Sequence, residues 1–298
     1  MTINNVHALM QKANQARQKD NWLQAVNFYQ EAYTLSKSLL INQQLVQALI
    51  HTKQYDQAAQ IINEYQNDYL EHHDLVILYL QVLLHQHRFI TSWCVYYQSK
   101  ITTSSQLQQI KNSEYSYLQH HQAEVAQLQR KLMHLGEAPL FKQIQALQDA
   151  EYLPYDNFIM VAQFVLQDPY LSPLLRGYLL DKLRQLNYHH EIMYLYFGES
   201  KKAIPANLPD MNTSKQQAKI MQILDQKLSI NQPQLLANFK AQMQLDAATL
   251  YPCADQVITD PQLWADGYWH WLHGEKINFN KQLKWLKKSL QIGDDLLY

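Results

Sequence analysis

Three histidine doublets, His72-His73, His120-His121 and His189-His190, are the residues whose type first suggests chemistry. In the run Glu71-His72-His73-Asp74 the first doublet gathers four side chains that bind metals elsewhere. Neighbouring residues on a helix do not face the same way, so a doublet forms no chelate by itself and reads as solvated residues at a junction between helices. His190-Glu191 opens the zinc-protease pattern, but Tyr194 stands where its second histidine belongs. His270 and His273 can share a helix face, yet Trp269, Trp271 and Leu272 around them read as an aromatic packing cluster. Cys94 and Cys253 are the only cysteines and lie far apart, which rules out a paired-cysteine zinc site and suits two buried thiols in a reducing compartment.

Glycine spacing excludes more. The six glycines, at 136, 177, 198, 267, 274 and 293, are never closer than seven residues. A dinucleotide fingerprint, a phosphate-cradling loop and a hydrolase nucleophile elbow all need closer pairs. No catalytic residue, metal ligand or cofactor site is therefore expected, and an enzyme is the last of the readings. Lys281, Lys284, Lys287 and Lys288 surround Trp285 on an amphipathic stretch. They fit a solvated helix face with Trp285 turned inward, or else a small patch for an anionic partner.

The formal net charge is -1 and the sequence pI about 6.9, so no overall field gathers a polyanion, and nucleic acid is disfavoured as a partner. No apolar run approaches the roughly 20 residues of a membrane helix. Residues 1–14 lack the basic start and apolar run of a secretion signal, and a cytoplasmic location is the expectation. With 47% hydrophobic and 17% charged residues the chain is globular in composition, and glutamine replaces much of the usual charged surface.

The elements that would position these residues are helices. All nine prolines follow Leu135, so the first 138 residues read as long helices joined by proline-free turns. Leu135-Gly136-Glu137-Ala138-Pro139 reads as a helix stop and a new start, which places a boundary between residues 1–136 and 137–298. Within the first part a phrase recurs: Trp22 precedes Ala25, Tyr55 precedes Ala58 and Phe89 precedes Ser92, each aromatic three residues before a small side chain. The small positions lie 33 and 34 residues apart, the period of a helix-turn-helix repeat. A small residue lets two helices approach, and the aromatic fills the space beside the turn. Upstream of each phrase runs another amphipathic segment, with Leu9, Ala13 and Ala16, then Leu45, Val46 and Leu49, then Val76, Leu80 and Leu83. Three helical hairpins are predicted.

These residues, with Tyr29 and Ala32, resemble the tetratricopeptide repeat (TPR) family over about residues 4–100. The first copy matches best; Val46 and Leu80 stand where a small residue is usual, and Ser92 and Ser99 replace alanines. The resemblance implies a superhelix whose concave face, lined by the first helix of each pair, receives peptides and protein tails. Asn14, Gln47 and Gln81 fall one repeat apart on that face, with Arg17 in a second row and Gln18, His51 and His85 in a third. Amide side chains both donate and accept, so this ladder could hold the backbone of an extended peptide, or else meet only water. Some relatives grip a C-terminal carboxylate here; Met10, Gln43, Gln44 and Ile77 occupy positions where that clamp needs charge or asparagine, which argues against such a receptor.

After the repeats, residues 104–135 carry Leu118, His121, Val125, Leu128, Leu132 and Leu135 at alternating spacings of three and four. This narrow stripe fits a helix that caps the stack, or a coiled coil that makes a homodimer. Further helices are predicted over 138–149, 155–168, 171–187, 213–229, 233–249, 260–273 and 278–292, several opening with proline in the first turn. Residues 192–197 are β-branched and aromatic, Gly198-Glu199-Ser200 supplies a turn and 201–205 a return, predicting one small β-hairpin near 191–206. The segments 168–176, 203–209 and 250–252 make the whole chain similar to uncharacterised TPR-containing proteins of Gram-positive bacteria. The expected fold class is all-α: a TPR-like helical-hairpin superhelix, then an α-solenoid-like helical region with that hairpin. The expected function is a non-catalytic adaptor for an unknown protein or peptide. The alternative is self-association through the 104–135 helix or the Trp-rich C-terminal segment.

Overall fold

A computed structural model of the chain describes residues 2–228, 233–277 and 283–295. Lys281, the start of the expected 278–292 helix and residue 229 lie outside the described residues. The described chain is all-α apart from one two-stranded sheet, and no helix in it is long and apolar enough to cross a membrane. It divides into two compact units: Met1–Val125 with Glu151–Tyr155, and Ala126–Ala150 with Asp156–Tyr298. Residue 136, where the sequence placed a boundary, falls within the second unit.

The first unit is built from α1 (Thr2–Gln18) with α2 (Trp22–Leu35), α3 (Leu39–His51) with α4 (Tyr55–Asn63), and α6 (His73–His85) with α7 (Phe89–Gln98). Between the second and third pairs lies α5 (Gln66–Glu71), a short helix that the repeat period did not announce. Successive helices pack on one another, and α4 reaches past α5 to α6. Ala25, Ala58 and Ser92 are completely buried, as are Tyr29, Leu45, Leu49, Ile62 and Leu83. The phrase read from the sequence is thus the seam along which the hairpins nest.

The inserted α5 is tied to the core by a buried polar group. Asn42, fully buried on α3, accepts from the Tyr69 hydroxyl of α5 at 2.9 Å and donates to the Ile61 carbonyl at 2.7 Å. Its amide also donates to Tyr33, whose hydroxyl donates to Glu64, and Lys37 closes the chain on the same carboxylate. A buried amide satisfied on both ends costs little and fixes the path of the backbone around it.

The long α8 (Ser104–Met133) bends at His121, which leaves helical geometry (φ -127°, ψ 27°). There the imidazole stacks on Tyr117 at 4.4 Å and its Nδ1 meets the Glu124 carboxylate at 2.8 Å. Val125, Leu132 and Leu135 of the predicted stripe are buried by the chain itself.

The second unit continues with α9 (Leu140–Asp149), α10 (Tyr155–Val165), α11 (Pro173–Gln185), the strands β1 (Ile192–Tyr196) and β2 (Glu199–Ala203), then α12 (Lys215–Leu228), α13 (Pro233–Leu250), α14 (Ala254–Val257), α15 (Pro261–Leu272) and α16 (Lys284–Asp295). Trp264, Phe239, Tyr268, Leu224 and Leu286 form its core, with Trp269, Trp271 and Trp285 packed against it. The strands pair antiparallel from Ile192 opposite Ala203 to Tyr196 opposite Glu199. The turn is therefore Phe197-Gly198, both at positive φ (50° and 91°), and Glu199 and Ser200 belong to the strand instead of to the turn expected from sequence. A two-residue hairpin loop that follows the strand twist needs left-handed backbone at both positions. Phenylalanine accepts it here because its ring packs on Trp285 at 4.4 Å.

Candidate functional site

One backbone device sets the first-helix faces in register. Asp20, Lys53 and His87 each end a hairpin's first helix at positive φ (56°, 59° and 56°). After each, an amide reaches back five residues along the helix end, Asn21 to Ala16, Gln54 to Leu49 and Arg88 to Leu83, at 2.8 to 2.9 Å. This left-handed closure satisfies carbonyls at the helix end and recurs with nearly the same φ each time. Asn187 repeats the device in the second unit, where Tyr188 bonds back to Leu183.

On the face so presented, Gln47 of α3 and Gln81 of α6 come together with His51 in a depression of about 270 Å³ that Ile50, Lys53, Tyr55 and Leu78 complete. Gln81 and His51 are exposed and Gln47 is half-buried. The depression is open and offers amide donors and acceptors beside an aromatic ring and an ammonium group.

The remaining predicted residues serve the fold as well as the face. Asn14 accepts from the Tyr29 hydroxyl at 2.7 Å, and Arg17 donates to Gln44 at 3.0 Å, tying α1 to α2 and α3. Burial raises the pKa of Tyr29, opposed by the Arg17 charge, so this hydroxyl stays protonated as a donor. Gln18 is exposed. His85 is exposed and stacks on Tyr55 with ring centres 4.4 Å apart, and His51 stacks on Trp22 at 3.7 Å with the planes within 4°.

Sequence reasoning missed this second layer. Trp22 and Tyr55 were read as plugs beside their own turns, yet each lies under the last histidine of the next repeat's first helix. The signal was present as an aromatic at the start of one helix and a histidine about one period on. The third copy departs: Phe89 packs edge-on against Tyr117 at 5.2 Å, and His87 fills the space beside them. Burial, then the charges of His121 and His85, hold the His87 pKa below that of a free imidazole.

The other chemistry-bearing residues are spoken for or scattered. His72 and His120 bond the carbonyls of Asp68 and Ser116, and His270 and His273 bond Glu275 and the Trp269 carbonyl. Among the described residues no three His, Cys, Asp or Glu side chains converge as metal ligands would. Lys284 and Lys288 lie over the Trp285 ring at 4.6 and 4.8 Å.

No protein-family model matches this chain, and no curated protein or solved structure does either. The fold and the face define the class: a helical-repeat-like, all-α protein with one small β-hairpin.

Proposed function

We propose that the chain is a non-catalytic adaptor of the TPR kind, receiving an extended peptide or protein segment on the face carried by α1, α3 and α6. The observation that carries this reading is the convergence of Gln47, Gln81 and His51, from two successive repeats, on one open depression. Paired amides in register suit a peptide backbone, which offers a donor and an acceptor at every residue, and Tyr55 supplies an apolar seat for one side chain. Self-association through the 104–135 stripe has less to recommend it, since Val125, Leu132 and Leu135 are already covered.

The test is capture of partners from the native lysate by the full chain and by a Gln47→Ala, Gln81→Ala double variant, with melting temperature as the control for folding. Loss of the captured species at unchanged melting temperature is expected. Undiminished capture would remove this face from consideration.

A further inference from the structure

Unit two holds a second depression, larger than the first, and nothing in the adaptor reading uses it. It opens between β2, the loop at 208–214 and the segment at 251–256, and has a volume of about 480 Å³. That lies within the roughly 300–1,000 Å³ typical of small-molecule sites. Leu208, Pro209, Met211, Ala247 and Tyr251 give it apolar walls.

Its charges are unevenly satisfied. Asp210 is held by Arg184 at 2.7 Å, and Arg184 also grips the buried Asp181. Asp255 accepts from the Ser214 hydroxyl at 2.6 Å and the Gln216 amide at 3.1 Å, which hold its carboxyl below the usual carboxylate range against the effect of burial. Both carboxylates are therefore already held by partners. Lys201 is different: its ammonium lies 4.4 Å over the Tyr196 ring and 3.9 Å from the Cys253 sulfur, and among the described residues no carboxylate pairs with it. Burial pushes the Cys253 thiol up, with Lys201 and Tyr194 opposing only in part, so the sulfur does not neutralise the ammonium.

Beyond Ser214 and Ala247, which line both, a neighbouring depression of about 370 Å³ continues the surface. Its wall contains Gln217, only 7% exposed, whose Nε2 has no hydrogen-bond partner among the described residues. A buried amide donor without an acceptor costs free energy until an oxygen reaches it.

We propose that this depression binds a small organic monocarboxylate, its charge on Lys201 and its apolar body against Met211 and Tyr251. A single ammonium that no carboxylate among the described residues pairs with, beside two carboxylates already held by other groups, favours one negative charge over the two of a phosphate. The apolar walls favour an organic body over a bare ion. A longer ligand that passes Ser214 supplies the oxygen that the Gln217 amide lacks.

Ligand-observed saturation-transfer NMR on the full chain tests this with benzoate, its neutral isostere benzamide, and phosphate as competitor. Benzoate is expected to bind, benzamide to bind at least about tenfold more weakly, as loss of one charge-assisted hydrogen bond implies, and phosphate to leave the benzoate signal in place. Lys201→Met should abolish benzoate binding while Lys201→Arg and Lys202→Met retain it. Equal signals from benzoate and benzamide, absence of binding by both, displacement by equimolar phosphate, or full binding by a folded Lys201→Met variant would each overturn the proposal. The isostere comparison decides even if Lys201→Met does not fold.

Discussion

Asp20, Lys53 and His87 occupy left-handed backbone without being glycine, a conformation that costs an L-residue roughly 1–2 kcal/mol. Lys53 is exposed, so its side chain contributes little that would mask the backbone effect. Lys53→Gly is expected to leave stability level or raise it by up to about 1 kcal/mol, and Lys53→Val to lower it by more than that, as urea denaturation would read. The stacked pairs are separable in the same way. A double-mutant cycle on Trp22→Ala and His51→Ala should give a coupling of about 0.5–1.5 kcal/mol, the range for stacked rings. His87 adds a pH dependence. Its folded pKa lies below the ordinary imidazole value, so as pH falls below about 6.5 the unfolded chain takes up this proton before the folded chain does. Stability is lost on acidification until the folded pKa is passed. His87→Asn, which keeps a residue tolerant of the left-handed turn, should flatten the dependence of denaturation midpoint on pH below about 6.5.

At the scale of elements, helices touch where a side chain is missing. Gly177 on α11 faces α13 so closely that an added Cβ would lie 1.8 Å from the Ala248 carbonyl oxygen, a backbone atom that cannot step aside. Gly177→Ala should therefore destabilise the second unit by about 3 kcal/mol or more, seen as a lowered thermal midpoint, although alanine is the better helix former. The β-hairpin follows a related logic. Its left-handed Phe197 is tolerated because the ring lies against Trp285, so local propensity yields to packing.

For the whole molecule, 25 Lys and Arg nearly cancel 26 Asp and Glu, leaving a formal net charge of -1. The field of the protein is therefore weak near pH 7, and the sequence pI of about 6.9 puts the change of sign of the net charge close to neutrality. Electrophoretic mobility should reverse sign between about pH 7.5 and 5.5, and adsorption to a polyanion such as heparin should appear only at the acidic end.

The repeat period, the buried small residues at 25, 58 and 92, the helices of the second unit and the existence of the hairpin were legible in the sequence. Each depends on contacts between neighbours along one or two helices, which leave a periodic mark. The one-repeat spacing of Asn14, Gln47 and Gln81 stands in the sequence, but not that Asn14 and Arg17 spend their polar groups on Tyr29 and Gln44 while Gln47 and Gln81 share a depression. The inserted α5, the ring stacks under His51 and His85, the two-residue turn at Phe197-Gly198 and the unpaired Lys201 were decided by tertiary structure alone. Each depends on groups that meet only after helices distant in sequence have packed, and a linear pattern of residue types carries no record of which polar group finds its partner.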